Sequence, residues 1–182
     1  MMAGAPERTQ GEVPAVHVDV QNESREARLY RRDVLARLAA RVCAGEGVET
    51  ACEVSVLFCD DMRIAALNGA YRKQHKATDV LSFPQPAPPG PAPADANAPR
   101  PLGDIVISLE TVVRRTAPDR AAARAEVRLL FCHGLLHLLG YDHASTRAAS
   151  AMQARQAAYL RVPLASAWLG AELGQTQRAV GR

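Results

Sequence analysis

The run HGLLHLLGYDH spans His133 to His143. On a helix, His133 and His137 lie four residues apart and so point the same way, one turn from each other. Two imidazoles at that spacing can grip one metal ion. Gly140 tolerates the left-handed conformation that ends helices, so the chain can leave the helix there and swing back. The turn can then deliver His143 as a third ligand. Three histidines leave a fourth tetrahedral position for water, which a catalytic zinc needs and a structural zinc lacks.

The spacing resembles H-E-x-x-H-x-x-G-x-x-H, the zinc signature of the metzincin peptidases. Both histidine gaps and the glycine match, but Gly134 stands where that signature carries its glutamate general base. Metal geometry is kept and the peptidase base is gone.

Upstream, LNGAYR (Leu67–Arg72) leads into TDVLSFP (Thr78–Pro84), and LGDI occupies Leu102–Ile105. With the histidine run, these segments resemble the YbeY family of bacterial single-strand-specific endoribonucleases that mature ribosomal RNA. The similarity covers roughly Val16 to Leu160. It implies an α+β fold, one zinc ion on His133, His137 and His143, and a functionally important Arg72. It also implies work on small-subunit ribosomal RNA (3′ end maturation of the 16S species, and ribosome quality control) in contact with ribosomal components. Family members commonly carry acidic residues shortly after the third histidine, where this chain has Ala144-Ser145-Thr146.

Composition is that of an ordinary globular domain, with 48% hydrophobic and 23% charged residues in 182. A net charge of +3 does not by itself require a nucleic-acid partner. Lys73 and Lys76 are the only lysines, and with Arg72 and His75 they form a polar cluster at a helix end. Such a cluster reads equally as a solvated helix terminus or as a phosphate-binding patch. Cys43, Cys52, Cys59 and Cys132 show no C-x-x-C pairing, so buried thiols in a reducing cytoplasm are expected. No run approaches a membrane span, and the first residues lack the apolar core of a signal peptide. The partner that the resemblance implies is single-stranded RNA, with neither DNA nor membrane.

Residues 1–14 read as a disordered leader and 15–162 as one domain. Residues 84–101 read as a proline-rich surface insertion holding eight of the twelve prolines, a composition expected not to pair in a sheet. Residues 163–182 read as a loose tail carrying Trp168. Alternation at Val16, Val18 and Val20 predicts a first strand, and further strands are expected at Val54–Phe58, Thr78–Phe83 and Asp104–Leu109. Amphipathic helices are expected over Leu29–Cys43 and around Ile64, Leu67 and Tyr71. Thr116-Ala117-Pro118-Asp119 offers a capping residue and an early-turn proline for a helix that runs to Leu139, is apolar all round in its second half and must be the central buried one. The sum is a small mixed four-stranded sheet covered by helices, with that central helix carrying two of the zinc ligands.

Zinc on three neutral histidines lowers the pKa of its water towards neutrality, so no neighbouring glutamate is needed. Attack on phosphorus directly, or through the ribose 2′-hydroxyl, both remain open. Arg72 is the candidate to stabilise charge on the phosphoryl oxygens. Asp142, next to His143, is a candidate to orient an imidazole, or else a polar turn residue. Aromatics make up only 4% of the chain, so contacts to the RNA backbone are expected to outweigh base stacking. Metallopeptidase activity, and a non-catalytic ribosome-associated role with zinc as a fold stabiliser, are the competing functions.

Overall fold

The computed structural model describes residues 15–26, 29–86 and 98–167. Its strands are β1 (Val16–Asn22), β2 (Cys52–Cys59), β3 (Val80–Pro84) and β4 (Arg100–Ser108). They form one sheet in the order β1-β2-β4-β3, with β1–β2 and β2–β4 parallel and β3–β4 antiparallel. This is the mixed four-stranded sheet that the sequence predicts. The helices are α1 (Arg32–Gly45), α2 (Asp61–Arg72), α3 (Leu109–Thr116), α4 (Arg120–Leu138) and α5 (Thr146–Leu160). A short 3-10 turn follows at Leu164–Ala167.

Alternation along the strands divides the side chains between two faces. Val54, Val56, Phe58, Ile105 and Ile107 join α1, α4 and α5 in the main core. Cys59, Leu81 and Val106 meet Ile64 of α2 in a smaller one. Every residue of α4 from Leu129 to Leu138 is buried, which explains why its second half carries no polar face. The Asp119 carboxylate starts α4 by accepting from the backbone N–H groups of Ala121 and Ala122. Asp60 and Ser145 cap α2 and α5 in the same way.

Two prolines of the expected insertion lie inside strands. Pro84 ends β3 opposite Gly103, and Pro101 sits in β4 opposite Glu53, beside a register shift. A missing N–H is tolerated at an edge strand and at an irregularity, so composition alone misjudged these two ends. The Cβ of any other residue at Gly103 (φ +130°) would run into the Phe83 carbonyl. Order also continues past Pro163: Ser166 N–H donates to Pro163 O, and the Gln153 amide donates to Leu164 O. The expected leader 1–14, residues 87–97 of the insertion and the end of the tail with Trp168 lie outside the described residues.

Candidate metal centre

The end of α4 builds the site. Gly140 adopts φ +99°, its N–H donates to His137 O, and the Tyr141 N–H donates to Leu136 O. These two bonds are the pair that closes a helix through a left-handed glycine. The chain therefore turns back at once, and His143 arrives over the two helical histidines. Its ring centroid lies 5.5 Å from that of His133 and 5.1 Å from that of His137. One ring nitrogen from each of the three falls within 4.8 Å of the others.

The geometry suits a metal ion. The Nε2 atoms of His133 and His137 face each other at 3.0 Å. Nδ1 of His137 lies 2.9 Å from the Tyr141 carbonyl, which can only accept, so that nitrogen carries the proton and Nε2 of neutral His137 presents a lone pair. Nε2 of His143 is buried without a hydrogen-bond partner. Burial, then the neighbouring His137, pushes the His133 pKa down to about 3. Burial, then His143, pushes that of His137 to about 4. Both are therefore neutral at physiological pH, the form that ligates. Tetrahedral nitrogen ligands about 2.0–2.1 Å from zinc stand roughly 3.3 Å apart, close to the 3.0 Å between Nε2 of His133 and Nε2 of His137.

Gly134 sits on the helix between the two ligands and against the sheet. A Cβ there would lie 2.8 Å from Cγ2 of Ile105 and 3.1 Å from Oγ of Ser82. A glutamate does not fit where α4 meets β3 and β4, which gives a steric reason for the missing peptidase base.

Arg72, in the last turn of α2, is half-buried, and its Nε has no hydrogen-bond partner. Burial lowers its pKa, and its charge disfavours protonation of His137. A half-buried guanidinium whose Nε is unpartnered and whose charge is felt at His137 is suited to an anion. Lys73 closes α2 at φ +60°, with Nζ 3.5 Å from Ala70 O, and Lys76 is exposed. His75 is exposed, with its ring against Gly69, and is not part of the cluster.

Asp142 accepts from the Ala144 N–H, as a turn residue does. The contacts on the imidazoles come from residues that the sequence did not point to. They are the Tyr141 carbonyl and Gln156, whose Oε1 lies 2.9 Å from Nδ1 of His133. Glu46 holds the same loop from outside, accepting from the hydroxyls of Tyr141 and Tyr159. The available signal for Gln156 was a lone amide on the stripe Met152–Gln156–Tyr159 of α5, all three buried. Met152 is a core residue, as its helical spacing predicts. All four cysteines are free and buried.

Fold and cluster together define a class, a small α+β enzyme domain with a three-histidine site of the kind that holds a metal ion. A family model described as "Endoribonuclease YbeY" matches residues 18–162. The chain belongs to the YbeY endoribonuclease family. Endoribonuclease YbeY of Geobacillus kaustophilus (strain HTA426) is 37% identical over 143 residues, which are 78% of this chain and 92% of the relative. That of Anaeromyxobacter dehalogenans (strain 2CP-C) is 43% identical over 152 residues, 84% of this chain and 72% of the relative. The solution structure of TM1509 from Thermotoga maritima shares the fold, with a TM-score of 0.54 and 23% identity over 79% of this chain and 87% of that one. Among the described residues no helix is long and apolar enough to cross a membrane.

Proposed function

We propose that this chain is a zinc-dependent endoribonuclease that cleaves single-stranded RNA. Its place is in the cytoplasm, maturing the 3′ end of small-subunit 16S ribosomal RNA and serving ribosome quality control in contact with small-subunit components. The observation that carries this reading is the convergence of three ring nitrogens within 4.8 Å, with the charge of half-buried Arg72 acting on His137. His133, His137 and His143 hold the ion. When bound, zinc supplies Lewis acidity and a nucleophile at neutral pH. Arg72 receives the scissile phosphate and offsets the negative charge that builds on its oxygens. Lys73 and Lys76, exposed beyond the end of α2, attract the RNA backbone. Asp142 adds a negative charge that favours a cation at His137.

A peptidase reading is opposed by the packing of Gly134, which leaves no room for the base. A purely structural zinc calls for a fourth protein ligand, and the cluster among the described residues has three. The test is incubation of the purified protein with a single-stranded RNA, its duplex form and a peptide, with a strong chelator and then restored zinc. Cleavage confined to the single strand, lost on chelation and regained with zinc, is expected. Peptide cleavage, or RNA cleavage indifferent to the chelator, would overturn the proposal.

A further inference from the structure

The tautomer of His137 is set by a backbone carbonyl, but that of His133 depends on a side chain. Gln156 is 1% exposed and bonded at both ends. Its Nε2 lies 2.5 Å from the Ala167 carbonyl and its Oε1 lies 2.9 Å from Nδ1 of His133. A carbonyl oxygen only accepts, so the amide must turn its NH2 towards Ala167. That leaves the amide oxygen facing the imidazole. Oxygen also only accepts, so Nδ1 of His133 carries the proton and Nε2 is left with a lone pair directed at the cluster. Reversing the amide would set its oxygen against the Ala167 carbonyl, acceptor against acceptor, with no solvent to repair the contact.

From this we infer that Gln156 is a positioning residue for the metal centre. It locks His133 in the ligating tautomer, and its own orientation is fixed by the carbonyl of Ala167 in the 3-10 turn. Glutamine is the side chain that can do both at this distance. Glutamate keeps the acceptor and loses the donor, and methionine keeps the volume and loses both. Without an acceptor at Nδ1, the buried ring can place its proton on Nε2, which closes the site to a cation. Partners beyond the ligands commonly set metal affinity in this way. The inference rests on the proposed metal site.

The experiment measures zinc affinity by chelator competition for the wild type, Gln156→Met and Gln156→Glu, with denaturant unfolding of each metal-free protein. The wild type is expected to bind one zinc. Gln156→Met should bind roughly 10- to 100-fold more weakly. Gln156→Glu should recover most of that loss even though it gives up the bond to Ala167. A role in packing alone would weaken both variants alike, in step with their stability. Equal losses in the two variants, or wild-type affinity in Gln156→Met, would overturn the inference and leave the metal site standing. Failure of the wild type to bind zinc would overturn the metal site, and the inference with it. A second measurement needs no variant: the nitrogen NMR shifts of the His133 ring in the metal-free protein should report a proton on Nδ1, and a proton on Nε2 would refute the assignment.

Discussion

Replacing Gly134 with alanine tests the packing that separates this site from a peptidase. The new Cβ would lie 2.8 Å from Cγ2 and 3.2 Å from Cδ1 of Ile105. Ordinary contact needs about 3.5–4.0 Å, so the helix or the strand must move by roughly 0.7 Å or more. Cγ2 branches directly from the β carbon of a fully buried residue in an inner strand, so it cannot swing aside as a long side chain would. Overpacking of this kind costs about 1–3 kcal/mol. Alanine recovers about 1 kcal/mol of helix propensity relative to glycine. The net expectation is a destabilisation of about 0–2 kcal/mol in the metal-free protein, read by urea unfolding. Because Gly134 lies between the two helical histidines, the same movement should weaken zinc binding. A variant stabilised by about 1 kcal/mol, with unchanged zinc affinity, would show that propensity alone acts there and that α4 does not press on Ile105.

Three further perturbations probe other parts of the molecule. Arg72→Ala should lower RNA cleavage by roughly 100- to 1,000-fold, the size expected when one positioned charge donor is lost. Its zinc content should be unchanged, and a normal cleavage rate would remove Arg72 from the mechanism. RNA cleavage at subsaturating substrate should fall as salt rises, because Lys73, Lys76 and Arg72 are proposed to act on phosphates. A rate that does not change with salt would point instead to base stacking. Asp61 reports through acid unfolding. Burial alone would raise its carboxyl, but hydrogen bonds from Ser108, Thr111 and Arg114 outweigh it and the pKa is lowered from 3.8. Its stabilisation is therefore complete above the unfolded-state value and is lost as pH falls through the lower folded value. Asp61→Asn should be less stable than the wild type at neutral pH and should lose less stability below about pH 4. Identical acid-unfolding profiles would contradict this assignment.

The histidine site was legible because its parts are local. The spacing from 133 to 137 is a property of any helix, and Gly140 signals the turn that returns His143. The buried character of α4 could be read in the same way, from leucines on every side of it. What escaped the sequence depends on contacts between distant segments. Gln156 meets His133 across 23 residues and Tyr141 meets Glu46 across 95, and no local period marks either pair. Gly134 could be read as a missing base, but its contact with Ile105 needed the sheet. Pro84 and Pro101 looked like loop residues because composition does not distinguish an edge or a register shift from a connection.

The most direct test of the three-histidine site is X-ray absorption at the zinc edge of the zinc-loaded protein. It should give one zinc per chain, with three nitrogen ligands at about 2.0–2.1 Å and a light fourth neighbour that no side chain supplies. His143→Ala should lower the nitrogen count by one. A sulfur neighbour at about 2.3 Å, or a nitrogen count unaffected by His143→Ala, would contradict the account.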